Sequence, residues 1–394
     1  MRAANGITAA VVFVNYGAYH HARARALSRI PGLDVRFIEL AAEEGKYPWH
    51  ISAGRTGPDL LTLAPTRYEH ASKIALGRRL CQLLNTLRPD VVVTCGYREV
   101  PMLFGIAWAK LHARPLVLMF ETSAADRPRP FWQELPKRAF LGLFVDAFFC
   151  GGLAHRRYLR QLGVADSRIW EKYDVVDVEY FRQAAERARA DSTNLRTSLG
   201  LPEDYFLYVG RLSPEKNLPR LLHAYRRYRD LEPRGWKLVL VGQGPQGPAL
   251  HDLAARLGLS DLVWAGAQPL DRLAVFYALA RALVLPSLSE PWGLVVNEAM
   301  ACGLPVLVSS HCGCAPDLVR VGTTGYVFNP LDVNDVMRQM LAFSRTDASA
   351  REQMGTAAND TISCYTPEVW ADNLAMSIRT VVHLTRRESP ARSG

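Results

Sequence analysis

Short apolar runs separated by longer amphipathic stretches set the rhythm of this chain. In its first half, Val11–Val14, Val35–Leu40, Val91–Thr94, Leu116–Phe120, Ala147–Cys150 and Ile169–Tyr173 have the length and apolar content of buried strands. Between them, Ala22–Arg29, Ala71–Leu87 and Pro101–His112 read as helices, the second stopped by Pro89. From Glu179 to Ser198 the composition turns to Arg, Ala, Glu, Asp and Ser, which predicts a linker over 179–200. The alternation then restarts. Strands are predicted at Phe206–Val209, Leu238–Val241, Val263–Ala265, Ala282–Leu285 and Val306–Val308, with helices at Leu218–Arg229, Ala249–Leu257, Leu270–Leu279 and Leu294–Ala301. Strand–helix alternation implies parallel sheets with helices on both faces. Its interruption implies two domains, over 1–178 and 201–366, followed by a helix near Glu368–His383 and a frayed tail to residue 394.

Length and composition agree with that division. At 394 residues the chain is long enough for two domains of about 100–200 residues each. Hydrophobic content of 49% and charged content of 22% are those of a globular protein. No apolar run reaches the roughly 18–20 residues that span a bilayer. The first run, Ile7–Val14, lacks the flanks of a signal peptide, so a cytoplasmic location is expected. The seven cysteines include the close pair Cys312 and Cys314 but show no zinc-type spacing, and they read as reduced thiols. A net charge of +9 points to an anionic partner. No zinc-finger, RNP or lysine/arginine block supports nucleic acid. The segment 127–144 mixes Arg127, Arg129, Lys137 and Arg138 with Phe131, Trp132, Phe140 and Phe144, and two readings fit it. One is a patch that contacts a membrane surface peripherally, at its inner face, for a lipid-linked acceptor; the other is a helix with an ordinary core face.

The most informative stretch runs from Leu285 to Val306, LPSLSEPWGLVVNEAMACGLPV. It reads strand, turn, short helix, glycine stop and strand, with Glu290 and Gly293 before the helix and Glu298 within it. A helix start at the carboxyl edge of a parallel sheet suits a phosphate-bearing ligand, because unpaired N–H groups and the helix dipole point there. Upstream, Gly210-Arg211-Leu212-Ser213-Pro214-Glu215-Lys216 follows a strand, with a glycine for close backbone approach and two cations. Gly242-Gln243-Gly244-Pro245-Gln246-Gly247 is a literal G-x-G-x-x-G after a strand. A dinucleotide-binding reading is opposed by Pro245 and by the absence of an acidic residue after Val263–Ala265. Asp177-Val178-Glu179 is the nearest approach to a D-x-D metal motif and reads better as a hinge.

The two glutamates, with seven residues between them and embedded in P-S-x-x-E-x-W-G-L-x-x-x-E-A-M-A-C-G-x-P-V, closely resemble the donor-binding motif of the retaining glycosyltransferases of family 4. The likeness is strong from Tyr208 to Asn329 and weaker before Tyr173, where Tyr173–Phe181 resembles an interdomain segment of one branch. It implies the GT-B fold: two facing Rossmann-like domains with parallel sheets, a donor cleft between them, and a last helix over 367–394 crossing back to the first domain. It implies transfer of a sugar from a nucleotide-sugar donor, a UDP- or GDP-sugar, to a hydroxyl of a sugar, lipid-linked or small-molecule acceptor. The configuration would be retained, in glycan, polysaccharide or glycoconjugate synthesis. In that family the donor would meet Gly210, Arg211, Lys216, Gly242, Gly244, Glu290, Trp292, Gly293, Leu294 and Glu298. Arg211 and Lys216 would hold the diphosphate, Glu290 a hydroxyl of the sugar, and Glu298 the ribose. No cofactor and no metal are expected.

The acceptor side would fall on Gly17, Tyr19 and His20 after the first strand, and on Glu121 and Asp126 after the fourth. Here the chain departs from the family, with one glycine where relatives have two, and Phe120 where many have a histidine. Glu121 is therefore a candidate for proton transfer or acceptor orientation, and equally a structural carboxylate. Two other functions share the architecture, a sugar-nucleotide epimerase and a non-catalytic sugar-nucleotide-binding subunit. The sequence leaves the oligomeric state open.

Overall fold

The computed structural model describes residues 6–45, 60–124 and 130–388. By its contacts the chain divides into two units, residues 1–122, 128–175 and 367–394 in the first and residues 123–127 and 176–366 in the second. The first unit runs β1 Ile7–Phe13, α1 Ala18–Ser28, β2 Leu33–Glu39, β3 Leu60–Thr62, α2 Lys73–Leu87, β4 Val91–Cys95, α3 Val100–Leu111, β5 Leu116–Phe120, α4 Phe131–Phe144, β6 Ala147–Cys150, α5 Leu153–Gln161 and β7 Ile169–Trp170.

Its seven strands lie in the order β3-β2-β1-β4-β5-β6-β7, paired in parallel throughout. The order reverses between β1 and β4, the kind of switch point where open α/β sheets bind ligands. Right-handed crossovers place α2 to α5 together on one face. The core under them includes Val12, Leu80, Ile106, Leu118, Leu141 and Leu159. β5 is an unbroken apolar run, and β4 departs from one only at the buried Thr94, because both of their faces are covered.

Two helices of this unit start with the same device. The Gly17 N–H donates to Nδ1 of His20 (3.0 Å), and the Gly152 N–H donates to Nδ1 of His155 (3.3 Å). In each case an imidazole three residues into the helix satisfies the cap amide, the role a carboxylate plays in a capping box.

The second unit runs α6 Val178–Ala190, α7 Ser192–Leu199, β8 Tyr205–Val209, α8 Leu218–Leu231, β9 Lys237–Val241, α9 Gly247–Arg256, β10 Val263–Gly266, α10 Leu270–Leu279, β11 Ala282–Leu285, α11 Leu294–Ala301, β12 Val306–Ser309, α12 Ala315–Leu318, β13 Gly325–Phe328, α13 Val333–Arg345 and α14 Ala348–Ile362. Its parallel sheet has the order β10-β9-β8-β11-β12-β13.

The stretch 179–200, expected as a linker, is instead helix α6 followed by α7. Its Arg-, Ala- and Glu-rich composition is that of a good helix former. Val178, Phe181, Ala185 and Ala188 make a buried stripe at helical spacing, and α6 packs on α10 and α11. Asp177 is the N-cap, accepting the Tyr180 N–H at 3.0 Å, and Glu179 pairs with Arg182. β3, β13, α5, α13 and α14 were not anticipated from the sequence.

The last helix, α15 (Pro367–Glu388), packs on α1, β5 and β6 of the first unit. Trp370 is its anchor, fully buried with its ring centroid 5.7 Å from that of Phe149. Trp370→Ala should destabilise the first unit by about 3–5 kcal/mol, the usual cost of emptying a buried aromatic site. Urea denaturation followed by circular dichroism checks this; a loss under about 1 kcal/mol would mean that α15 is only loosely attached.

Candidate functional site

The loops after β8 and β9 lie against one another. Gly210 (φ +150°) and Gly242 (φ +143°) occupy conformations open mainly to glycine. The Gly210 N–H donates to the Val241 carbonyl (3.0 Å), the Gly242 N–H to Gly266 (2.7 Å), and the Leu212 N–H to Gln243 (3.0 Å). A Cβ at Gly242 would fall on the Gly210 carbonyl oxygen, and one at Gly244 would lie 2.5 Å from the Leu212 carbonyl. The first two glycines of this G-x-G-x-x-G are thus required by a neighbouring loop of the same chain, whereas a Cβ at Gly247 would make only an ordinary contact, 3.8 Å from Leu212 Cδ1.

That packing delivers the two cations. Arg211 is exposed and pairs with Glu215 at 2.9 Å, while Ser213 Oγ donates to the same carboxylate oxygen at 2.6 Å. Burial alone would raise the Glu215 carboxyl, but the Ser213 hydrogen bond and the Arg211 charge outweigh it and hold it below its usual range. Lys216 is turned the other way and ion-pairs with Glu290; the two side chains are only 17% and 13% exposed. Asn217 follows in the left-handed region (φ +60°) and is buried. Its side-chain amide donates to the Pro286 carbonyl (3.0 Å) and the Pro330 carbonyl (2.8 Å), tying three loops together.

Glu290 is held from several sides. Ser287 Oγ donates to its Oε2 at 3.1 Å, and its own carbonyl accepts the Gly313 N–H at 2.9 Å. Gly293 (φ +104°) sits against it: a Cβ there would lie 3.3 Å from Glu290 Cγ and 3.1 Å from Leu285 Cδ2. Burial, with the Glu290 charge adding to it, pushes the Cys312 and Cys314 thiols well up, so both stay protonated and neutral. Leu294 opens α11, whose first N–H groups lack intrahelical acceptors by the geometry of any helix start. Trp292 is buried, and its indole N–H donates to Asn297 Oδ1 at 2.8 Å. Glu298, 3% exposed, accepts the Tyr277 hydroxyl at 2.7 Å.

In the first unit, Gly17 and His20 belong to the α1 cap already described, and Tyr19 is buried in the core. Burial, with help from Arg23 and His21, lowers His20 to about 3, so it is a neutral acceptor at its Nδ1. Glu121 is exposed just past β5, and Asp126 lies outside the described residues. Phe120 is buried, with the Lys137 ammonium 5.0 Å from its ring centroid.

The structure therefore joins Lys216 to Glu290 and gives Arg211 and Glu298 partners of their own, Glu215 and Tyr277. Sequence reasoning gave no role to Ser213, Glu215, Asn217, Tyr277 or Ser287, although Ser213 and Glu215 stand in the quoted loop and Ser287 in the P-S-x-x-E motif. Asn217 carried a further signal, as a residue that tolerates left-handed backbone just before a helix. Among the described residues no three His, Cys, Asp or Glu side chains are grouped to hold a metal ion. None of the described helices is long and apolar enough to cross a membrane. All seven cysteines are free thiols.

Residues 191–361 match the family model described as glycosyl transferases group 1. The sulfoquinovosyl transferase SQD2 of Arabidopsis thaliana is 30% identical over 311 residues, covering 74% of this chain and 57% of that protein. A D-inositol 3-phosphate glycosyltransferase of Thermobifida fusca is 34% identical over 244 residues, 58% of this chain and 54% of that protein. The chain spans about half the length of the curated relatives it matches. Among solved structures, Anabaena Alr3699/HepE in complex with UDP and glucose superposes with a TM-score of 0.71 at 17% identity, covering 95% of this chain and all of that one (100%). Sucrose-phosphate synthase from Thermosynechococcus elongatus gives 0.71 at 19% identity, covering 98% and 100%. These likenesses establish the fold, α/β with two parallel-sheet units of the GT-B kind.

Two expectations follow from the geometry. Lys216→Met leaves Glu290 mostly desolvated without its cation, a loss of about 3–5 kcal/mol, and adding Glu290→Gln should restore most of it. A denaturation double-mutant cycle measures the coupling; additive losses would mean that the pair is not formed in solution. For His20, the folded pKa lies below the unfolded value of 6.5. The neutral form is therefore favoured by folding, and its contribution is complete above pH 6.5 and is lost as pH falls from there toward about 3. His20→Gln should flatten that part of the stability–pH curve; an unchanged slope would place the titration elsewhere.

Proposed function

We propose that this protein is a glycosyltransferase that moves a sugar from a nucleotide-sugar to an acceptor hydroxyl with retention of configuration. The observation that carries the reading is the cluster at the carboxyl edge of the second sheet. Lys216 and Glu290 form a mostly desolvated pair beside the start of α11, with Arg211 on the adjoining loop. The cluster lies within the segment that matches the group 1 glycosyl transferase model.

On this reading Arg211, Lys216 and the α11 N–H groups meet the donor diphosphate and stabilise the charge that develops as the nucleotide leaves. An ammonium has three donors, so Lys216 keeps one on Glu290 while the others reach phosphate oxygens. Glu290 then accepts a hydroxyl of the transferred sugar, and Glu298, held by Tyr277, accepts from the ribose. The backbone of Gly210, Gly242 and Gly244 walls the site. No metal is required, because the cations and the helix start supply the positive charge. Uridine is the favoured base, since the solved neighbour of like fold holds UDP. Gly17, His20 and Glu121 stand on the acceptor side, where His20 acts as a neutral hydrogen-bonding group.

Calorimetry with UDP, GDP, ADP and TDP, without metal, tests this. UDP should bind selectively, and Glu298→Gln should weaken it by roughly 10–100-fold, the loss of one charge-assisted hydrogen bond. A folded protein that binds none of the four removes the donor-site assignment.

A further inference from the structure

The helical layer α2–α5 of the first unit combines two anomalies. α3 is apolar on both sides: Met102, Ile106 and Ala109 are buried, yet Val100, Leu103 and Leu111 stand exposed along its outer stripe, Leu111 at 84%. A helix apolar all round is ordinarily covered all round. α4 lies beside it, since Tyr97, before α3, meets Phe140 of α4 at 5.2 Å between ring centroids, and Lys110 of α3 pairs with Asp146, just past α4, at 2.7 Å. α4 exposes Trp132 (67%), Leu135 and Leu143 (73%).

The same layer is strongly cationic. Three Lys or Arg lie in α2, one in α3, two in α4 and three in α5, against one carboxylate within these helices, Glu134; Asp146, Asp166 and Glu171 of the flanking loops pair with Lys110, Arg156 and Arg160, and a cationic excess remains. Glu134 is already occupied by the Tyr158 hydroxyl at 2.7 Å. On the opposite face of the sheet, α1 and α15 mix five Arg with three acidic residues, so the asymmetry is local.

We propose that the outer face of α3 and α4 docks on an anionic lipid bilayer surface. The aliphatic and indole groups enter the acyl boundary while the cations of the layer lie among the headgroups. Charge selects this occupant over a second copy of the chain, because an isologous contact would set the cationic layer against itself. Nucleic acid would answer the cations and leave the apolar stripe uncovered. The proposal does not depend on the donor site, which lies in the other unit.

The test uses the full chain in co-sedimentation with vesicles of phosphatidylcholine alone and of phosphatidylcholine with phosphatidylglycerol. Binding is expected to the mixed vesicles, to weaken at least about tenfold on the neutral ones, and to fall with added salt. Leu111→Glu and Leu143→Glu should each lower it about tenfold with unchanged thermal melting and unchanged UDP calorimetry. Equal binding to both vesicle types, no binding by folded protein, or variants that bind like wild type would each overturn the proposal. A dimer in light scattering that Leu143→Glu dissolves, with no vesicle binding, would replace the bilayer by a second copy.

Discussion

The second unit is organised around one ion pair, Lys216 with Glu290, which joins loops 74 residues apart in sequence. Two charges so little exposed are costly to desolvate, and their attraction repays that only when the remaining polar capacity is met. The surrounding choices follow. Ser287 supplies a further donor to the carboxylate. Gly293 removes the side chain that would crowd Glu290, in a backbone conformation other residues avoid. Cys312 and Cys314 offer small thiols that burial and the nearby carboxylate keep uncharged. Asn217, adjacent to the lysine, fixes its loop to the carbonyls of Pro286 and Pro330, so that the lysine does not choose its own position.

Much of the fold could be read from the chain because a parallel sheet covered on both faces writes its strands as continuous apolar runs. Val91–Thr94, Leu116–Phe120 and Ala282–Leu285 are of that kind, and each is a strand. Errors came where local composition and tertiary role part company. Glu179–Ser198 looked polar enough for a linker, but a helix needs only one apolar stripe, and Val178, Phe181, Ala185 and Ala188 provide it. β3, of three residues, is too short to leave a period, and its place is fixed by pairing with β2. Within the candidate site, the motif named candidate residues but not the pairings that hold them. Tyr277 reaches Glu298 across 21 residues and Lys216 reaches Glu290 across 74, and no local pattern encodes such distances.

The two units manage backbone at loop edges by different means. The first closes the starts of α1 and α5 with an imidazole, which requires His20 and His155 to be neutral acceptors. The second brings the Gly210–Leu212 and Gly242–Gly244 backbones into direct contact by omitting side chains. On the proposed reading, the difference matters for a phosphate-bearing donor. A cap that depends on a neutral imidazole is sensitive to acid, whereas a glycine-walled loop is indifferent to it and permits close approach of phosphate oxygens to backbone N–H groups.

On the proposed reading, the ion pair explains how one site tolerates both the presence and the absence of its ligand. A lysine aimed at a diphosphate but left without a counter-ion would sit mostly desolvated whenever the site was unliganded. Glu290 removes that cost by partnering it. When phosphate oxygens arrive they compete for an ammonium whose geometry allows three acceptors, so the lysine need not leave the carboxylate. Arg211 is arranged otherwise. It is exposed and paired with Glu215 near solvent, an interaction worth little on its own and therefore easily exchanged for a more highly charged partner. One cation is thus positioned by a partner it keeps and the other is held by a partner it readily gives up, a division that lets the site be ordered before binding and still gain charge–charge energy on binding.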